Sequence, residues 1–267
     1  MMAAKVSYEN KAYIESTVKE YWKMDFLGSY DFGTAHGGFM KALGLQKNHG
    51  WPREQAADKK QEVAFYVIRK KLKQLLQKNA KFIITGHSLG GALAILFAAI
   101  LAFHQETWLL ERLEGIYTFG QPRVGDENFG EFLKEELRKY NIDYYRLVYC
   151  FDMVPRLPLD DSTFLFKHFG TCVYYNSFYQ GKILAEEPDK NYFSLRWLIP
   201  KIINAIWELI RSFIISYTRG ADYEEGGLLR LLRVIGLLTA GLPAHCPQDY
   251  FDATRLGPLE VYLSELT

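Results

Sequence analysis

The sequence has few of the features that mark disulfide-bonded, metal-binding or membrane-spanning proteins. Its three cysteines, Cys150, Cys172 and Cys246, are odd in number, scattered, and form no CxxC pair. They give no sign of a zinc site or of another bound metal, and they favour a reduced, intracellular compartment. The first 16 residues are charged and contain no apolar core, so we expect no secretory signal peptide. No stretch of about 18 uncharged apolar residues predicts a transmembrane helix.

An excess of charge of one sign is also missing. The chain has 32 Lys and Arg residues and 31 Asp and Glu residues, and this balance gives no reason to expect a nucleic-acid partner. Aromatic residues, in contrast, make up 15% of the chain, and such rings suit both protein cores and lipid–water boundaries. The length of 267 residues and the apolar content of 49% predict one globular domain over residues 1–267.

Strand-like and helix-like segments alternate along the chain. Short runs rich in β-branched and aromatic residues predict strands at residues 81–85, 115–120, 144–151, 166–175 and 178–184. Apolar residues at helical spacing predict an amphipathic helix followed by a loop within residues 5–32, and helices at residues 52–78, 90–104 and 126–140, the last with Asp126 as its N-cap. This alternation predicts an α/β fold, with a mostly parallel sheet flanked by helices.

The segment Gly86-His87-Ser88-Leu89-Gly90 has the GxSxG pattern of a serine-hydrolase nucleophile elbow. The pattern alone is weak, but here it follows a predicted strand and opens a predicted helix, which is the context that the elbow requires. The alternative is a Gly-rich strand–helix turn without chemistry. We expect both flanking glycines to be needed, because a Cβ at either would collide with neighbouring backbone. The turn then raises the Ser88 hydroxyl above the sheet and directs the Leu89 N–H at a developing oxyanion.

A serine of ordinary acidity needs a general base and an acid that orients the base. In this fold the chain order is Ser, then Asp or Glu, then His. Asp152 follows the predicted strand at 144–151, and active groups gather at the carboxyl ends of strands. Its alternative role is to cap the turn before a proline, while Asp160 and Asp161 lie further from any predicted strand end.

Two histidines follow this aspartate in the chain. His168 lies inside a predicted strand, which favours a packed core or hairpin residue. His245 lies between two prolines in a loop near the chain end, and we expect it to be the base. His87 adjoins the serine, but neighbouring residues on a tight turn point apart, so we expect a structural role. His36, in AHGGF, resembles an HGG oxyanion motif, but no predicted strand precedes it.

With these residues in place, the sequence resembles the class 3 lipase family of α/β-hydrolases. The segments close to the family pattern are GHSLGGALA at 86–94, TFGQPRVGD at 118–126, DMVPRLP at 152–158 and AHCPQDYF at 244–251, which has His245 at the position of the family's catalytic histidine. The N-terminal YENKAYIESTV segment, HGGFMKALGLQ and the ending DATRLG are similar to plant oil-body triacylglycerol lipases. The resemblance implies an acyl-ester lipid substrate and no cofactor.

One part of the family pattern has no match. Class 3 lipases have an N-terminal strand with an FRGT-like turn and a helical lid before the HxGF segment, and a hydroxyl residue of that turn supplies the second oxyanion donor. Between Trp22 and His36 this chain has neither FRGT nor a predicted strand or lid. Thr34 is the one nearby hydroxyl that we consider as a replacement for that donor. The resemblance therefore implies a shortened N-terminal half, an exposed sheet edge and reduced activity.

Residues 186–242 differ in composition from the rest and predict a helical insertion. Within residues 198–217 the polar side chains fall on one narrow stripe, formed by Lys201, Asn204, Glu208, Arg211 and Ser212. Residues 227–238 predict a leucine-rich helix that carries Arg230 and Arg233. Such helices can lie in a membrane interface with their charges facing outward. The alternative is that they simply cover the core.

These features predict a carboxylic ester hydrolase that acts on triacylglycerol at an oil–water or membrane interface. Ser88 is the expected nucleophile, His245 the general base and acid, and Asp152 its orienting partner. The expected location is intracellular, on a lipid droplet or membrane surface. The alternative class is a catalytically weak or inert lipid-surface protein derived from a lipase. A further alternative is an enzyme of the same mechanism that prefers phospholipids or monoacylglycerols.

Overall fold

The computed structural model describes residues 27–30, 33–44, 63–77, 79–160 and 165–257. The helix predicted within residues 5–32 lies outside this part of the chain, as does the start of the helix predicted over residues 52–78. Asp161 also lies outside it.

The described residues contain seven strands: β1 Leu27–Tyr30, β2 Gly33–His36, β3 Phe82–His87, β4 Leu113–Phe119, β5 Asp143–Tyr149, β6 Thr171–Tyr175 and β7 Gly181–Leu184. β1 and β2 form an antiparallel hairpin, and the other five form one sheet in the order β3-β4-β5-β6-β7. The pairs from β3 to β6 are parallel, and β7 pairs antiparallel with β6.

Eight α-helices lie in the same part of the chain: α1 Gly37–Ala42, α2 Ala64–Leu75, α3 Leu89–Phe103, α4 Thr107–Leu110, α5 Glu127–Lys139, α6 Leu198–Arg219, α7 Gly227–Gly236 and α8 Pro247–Leu256. Short 3-10 turns include Val154–Arg156, which follows β5, and Pro243–His245, which precedes α8.

The predicted α/β fold is confirmed by a mostly parallel sheet with helices packed on it. The core around α3 accounts for that helix's nearly uniform apolar sequence, because Ala98, Ala99 and Ile100 are fully buried. The predicted N-cap of α5 is confirmed, since Asp126 Oδ1 accepts a hydrogen bond from the Phe129 N–H at 3.0 Å. The sheet therefore presents the carboxyl ends of β3, β4 and β5 side by side at one edge.

The expectation that no strand precedes His36 is wrong. The strand β2 ends at His36 and pairs with β1, which lies where a loop was predicted. Two contacts hold this hairpin on the main body: the His36 N–H donates to the Val124 oxygen at 2.8 Å, and Ala35 bridges to Gly125. A four-residue strand is too short to show a periodicity, so its backbone partners decide its conformation.

Among the described residues, β3, the strand that leads to Ser88, is an edge strand of the five-stranded sheet. β3 pairs with β4 on one side, and the Ile83 side chain is 55% exposed. In a central strand of an α/β sheet both faces are covered, and such a strand is apolar throughout. The open edge that the shortened N-terminal half implies stays a prediction, because residues 1–26 and 45–62 lie outside the described part of the chain.

The helices of the insertion are present, but the predicted outward orientation of their charges is wrong for most of them; Arg230, which lies over the Phe213 ring with its side chain 28% exposed, is the exception among the arginines. Glu208 and Arg211 of α6 and Arg233 of α7 are at most 5% exposed. The outward faces are instead apolar, and their exposed side chains are Leu198, Ile199, Ile202, Ile203, Ile206, Ile210, Phe213 and Ile214 of α6 and Leu228, Leu231, Val234 and Ile235 of α7. Helical periodicity predicts that a polar stripe exists but not which way it faces.

Buried partners explain why the polar stripe faces inward. Lys201 forms an ion pair with Asp189 at 2.5 Å, and the arginines bind buried carboxylates. Charged groups are tolerated inside a protein when they are paired in this way. No helix among the described residues is both long enough and apolar enough to cross a membrane.

Candidate active site

Ser88 occupies a strained turn between β3 and α3. Its backbone has φ 56° and ψ −127°, a region that residues with a side chain rarely adopt. A Cβ on Gly86 would lie 2.2 Å from the Gly90 oxygen, so a glycine is required there. The expectation that Gly90 is needed for the same reason is wrong, because a Cβ at Gly90 meets nothing within 4 Å among the described residues. Of the two glycines in the GxSxG pattern, the space around the turn therefore excludes a Cβ only at Gly86.

The structure brings Ser88, His245 and Asp152 together across long separations in sequence. Ser88 Oγ lies 2.7 Å from His245 Nε2, and His245 Nδ1 lies 2.8 Å from Asp152 Oδ2. Ser88 and His245 are partly exposed, whereas the Asp152 side chain is fully buried. This is the arrangement in which a histidine takes a proton from a serine while a carboxylate fixes its ring orientation.

The carboxylate of Asp152 is held by further hydrogen bonds. Oδ1 accepts from the Val154 N–H at 2.9 Å, and Oδ2 accepts from the Tyr250 hydroxyl at 2.5 Å as well as from His245. Arg156 binds the surrounding loop, donating to the backbone oxygens of Cys150 and Asp152. These donors fix the carboxylate in the orientation in which Oδ2 faces His245 Nδ1.

Gly120, at the end of β4, lies directly against this group of side chains. Its φ is +57°, and a Cβ there would come within 3.1 Å of Asp152 Oδ2, the Tyr250 hydroxyl and His245 Cε1. Only glycine combines this backbone conformation with so close an approach. The TFGQPRVGD segment therefore contributes space to the site rather than a reacting group.

The structural role expected for His87 takes the form of a contact with the candidate base. Its ring stacks on the His245 ring with centroids 4.6 Å apart, and its Nε2 donates to the His245 carbonyl oxygen at 2.9 Å. Burial, together with the neighbouring His245, lowers the pKa of His87. A neutral His87 supports the position of His245 without adding a second positive charge.

The other candidates from the sequence are engaged elsewhere. His168 does not lie in a strand, because β6 begins at Thr171; it is buried and donates to the Pro155 carbonyl oxygen at 2.5 Å. Asp160 binds Lys190 at 2.7 Å. The His36 ring stacks on Phe39, and burial lowers the pKa of His36 to about 4. None of these contacts places the side chain on Ser88 or His245.

The oxyanion donor predicted at Leu89 lies at the first residue of α3. The first N–H groups of a helix have no carbonyl partner within the helix, so this N–H suits an oxyanion. Thr34 lies in β2, but its side chain is outside the described part of the structure. The described residues contain no group of three or more His, Cys, Asp and Glu side chains that could hold a metal ion.

A family model described as "Lipase (class 3)" matches residues 1–162 of the chain. The chain belongs to the class 3 lipase family. It is 55% identical over 199 residues to "Triacylglycerol lipase OBL1" of Nicotiana tabacum, covering 74% of this chain and 35% of that protein. It is 37% identical over 336 positions to the protein of the same name from Ricinus communis, covering 96% of this chain and 64% of that one.

This class 3 lipase spans less than two thirds of the length of these curated relatives. The alignment with the Ricinus protein runs over more positions than the chain has residues, so part of the matched region has no counterpart here. Among solved structures, "Rhizomucor miehei lipase propeptide complex, native" aligns with a TM-score of 0.42 at 30% identity, over 56% of this chain and 42% of that chain.

Two contacts in the site of this class 3 lipase were not anticipated from its sequence. Tyr250, on α8, donates to Asp152, and Gly120 makes room for it. No local signal marks the Tyr250 contact, because a spacing of five residues after His245 is not one that shares a helix face and because Tyr250 and Asp152 are 98 positions apart. The signal for Gly120 was its place at the end of the strand predicted over residues 115–120.

Proposed function

We propose that this class 3 lipase hydrolyses carboxylic esters of triacylglycerol through an acyl-enzyme intermediate formed on Ser88. The observation that carries the proposal is the continuous line of hydrogen bonds from Ser88 Oγ through His245 to the buried Asp152. The names of the relatives, which describe triacylglycerol lipases, support the substrate class.

In the proposed reaction, His245 Nε2 accepts the Ser88 proton as Oγ attacks the ester carbonyl carbon. Asp152 stabilises the resulting imidazolium, and the Leu89 N–H stabilises the oxyanion. Collapse of the tetrahedral intermediate breaks the bond to the leaving alcohol, which takes the proton from His245. A water molecule, deprotonated by His245, then attacks the acyl-enzyme; as the bond between Ser88 Oγ and the acyl carbon breaks, His245 returns the proton to Oγ and the fatty acid is released.

We propose further that this chain is a weaker lipase than its full-length relatives. Loss of one oxyanion donor costs on the order of 10²–10³ in kcat, and the chain has no FRGT-like turn to supply a second donor beside Leu89. The measurement is the rate of the chain beside a chimera with a complete family N-terminal half placed before His36. Equal rates per folded molecule on a short-chain ester would contradict this expectation.

The outward faces of α6 and α7 support action at a lipid surface. Their exposed side chains are large and apolar, whereas Glu208, Arg211 and Arg233 are buried. A face of this kind gains free energy by entering hydrocarbon, and it needs no anionic headgroup. We therefore propose that the protein acts on the surface of an intracellular lipid droplet or a membrane, which its resemblance to oil-body lipases also supports.

The alternative is a lipase-derived protein that binds the lipid surface without catalysis. A fluorophosphonate probe and a soluble short-chain ester distinguish the two, because neither requires an interface. We expect covalent labelling and ester hydrolysis in the wild type, and loss of both in Ser88→Ala. The matched control is Ser212→Ala, which removes a buried hydroxyl bonded to the Leu209 oxygen, far from the elbow in sequence. Labelling that persists unchanged in Ser88→Ala would remove Ser88 as the nucleophile.

A further inference from the structure

A buried cluster of charged side chains joins the insertion to the helix that follows His245. It contains two arginines, Arg211 of α6 and Arg233 of α7, and three carboxylates, Glu208, Glu225 and Asp249. All five side chains are at most 6% exposed. Charges so deeply buried are costly unless each is paired, so their contacts specify where the helices lie.

Asp249, in the first turn of α8, is the point at which both arginines meet. Arg211 Nη2 donates to Asp249 Oδ1 at 2.6 Å, and Arg233 Nη2 lies 3.0 Å from Oδ1 and 3.2 Å from Oδ2. One carboxylate thus connects two helices of the insertion to a third helix outside it. Hydrogen bonds between ionised groups are among the stronger ones in proteins.

Each arginine is also fixed to its own surroundings. Arg211 Nη1 donates to the Tyr149 hydroxyl and to the Ser177 oxygen, both at 2.6 Å. Arg233 binds Glu225 through two nitrogens, at 2.5 and 2.7 Å. Because each arginine has partners besides Asp249, and both face Glu225, Asp249 is bound to a rigid frame rather than to flexible side chains.

The helix α8 controls two of the contacts in the candidate active site. His245 lies in the 3-10 turn that runs into α8, and Tyr250, the residue after Asp249, donates to Asp152 Oδ2 at 2.5 Å. Tyr250 also accepts a hydrogen bond from the Tyr149 N–H, at the end of β5. A shift of α8 would therefore move the base and a donor to its carboxylate partner together.

We propose that Asp249 is a positioning residue for His245, through which the buried arginines of the insertion hold α8 in register with Ser88 and Asp152. The inference rests on the proposed ester hydrolysis. It assigns the insertion two functions on opposite faces, lipid contact on the outward apolar face and alignment of the base on the inward charged face.

The test compares two buried aspartates that receive the same isosteric change. Asp249→Asn removes the charge that binds Arg211 and Arg233, whereas Asp189→Asn removes the charge that binds Lys201 of α6 without touching α8. The readouts are kcat and KM on a soluble short-chain ester and the rate of fluorophosphonate labelling, with circular dichroism to verify folding.

We expect Asp249→Asn to lower kcat and the labelling rate by about 10- to 100-fold with little change in KM, since a misplacement of about 1 Å costs on the order of 10²-fold. Asp189→Asn should keep the wild-type values. Equal kcat in all three proteins would overturn the proposal, as would an equal loss in both variants. If Asp249→Asn does not fold, Arg233→Lys keeps the charge, weakens the contact with Asp249, and should give the same loss.

A spectroscopic readout separates this proposal from the proposed function. The low-field proton resonance of the hydrogen bond between His245 Nδ1 and Asp152 reports the alignment of the base without any turnover. We expect it in the wild type and in Asp189→Asn, and displaced or lost in Asp249→Asn. A wild type without hydrolysis would refute the proposed function, while an unchanged resonance in Asp249→Asn would refute the positioning role.

Discussion

The Tyr250 hydroxyl and Asp152 Oδ2 are 2.5 Å apart, and the same carboxylate oxygen accepts the hydrogen bond from His245 Nδ1. Burial, with the nearby negative charge of Asp152, raises the pKa of Tyr250 well above its usual value, so the phenol keeps its proton and donates it. The orientation of the candidate base thus depends on a residue from the helix that follows it.

Tyr250→Phe should lower kcat on a soluble ester by roughly tenfold and destabilise the fold by about 1–3 kcal/mol, because Asp152 loses a donor and the buried Tyr149 N–H loses its acceptor. Steady-state kinetics and thermal unfolding measure the two effects. The control is Tyr144→Phe, which removes another buried hydroxyl, bonded to Gln121. A Tyr250→Phe enzyme with wild-type kcat would show that the hydroxyl does not help to position Asp152.

The two glycines that flank the elbow should respond differently to the same substitution. Gly86→Ala places a Cβ 2.2 Å from the Gly90 oxygen and should abolish fluorophosphonate labelling of Ser88, because the turn cannot form without moving backbone. Gly90→Ala has open space among the described residues and should be labelled at close to the wild-type rate. Equal labelling of the two variants would contradict the geometry of the turn.

The outward apolar face should determine activity on emulsions and not activity on soluble esters. Replacing Ile203 and Ile210, which are 62% and 49% exposed, by Asn removes apolar area that is free to enter a lipid surface. We expect a loss on triolein emulsion of at least about tenfold, since a buried apolar side chain contributes roughly 1.5–3 kcal/mol. Hydrolysis of a short-chain ester should stay at the wild-type rate.

The salt dependence of droplet binding is an independent test of whether that apolar face carries the interaction. Because its exposed side chains are uncharged, binding to triolein droplets should change little between low and high ionic strength, unlike binding through basic residues. Droplet flotation at several salt concentrations is the measurement. Binding that disappears at high salt would show that charges elsewhere in the chain carry the interaction.

Glu208 should contribute a stabilisation that falls between about pH 5 and pH 7, in the opposite sense to His36, His87 and His168, whose pKa values are lowered. Burial, and next the charge of Asp249, raise the pKa of Glu208 to about 7, even though Arg233 and Arg211 face it and Asn204 donates to it. Because the folded pKa lies above the unfolded one, the stabilisation is complete below about 4.5 and is lost as the pH rises through 7.

Glu208→Gln imitates the protonated form and should remove this pH dependence. We expect the variant to be more stable than the wild type at pH 8 by about 1–3 kcal/mol and similar to it at pH 5, measured by thermal unfolding. A wild type and variant that differ equally at both pH values would mean that Glu208 does not titrate in this range.

Much of the local structure of this protein follows from its sequence alone. The parallel strands, the buried helix α3 and the N-cap at Asp126 depend on near neighbours in the chain, and their patterns are regular over enough residues to be recognised. The elbow at Ser88 is equally local, because a GxSxG turn between a strand and a helix is defined by consecutive residues. Family motifs also indicated His245 and Asp152 as its partners.

Only the tertiary structure decided which way the insertion faces, that a strand precedes His36, and which groups hold the triad. Helical periodicity is the same whether a polar stripe meets water or buried carboxylates, so the partners of Arg211 and Arg233 were needed to orient α6 and α7. The contact of Tyr250 with Asp152 joins residues almost 100 positions apart. Such pairings depend on how helices pack on the sheet, and no local pattern in the chain encodes them.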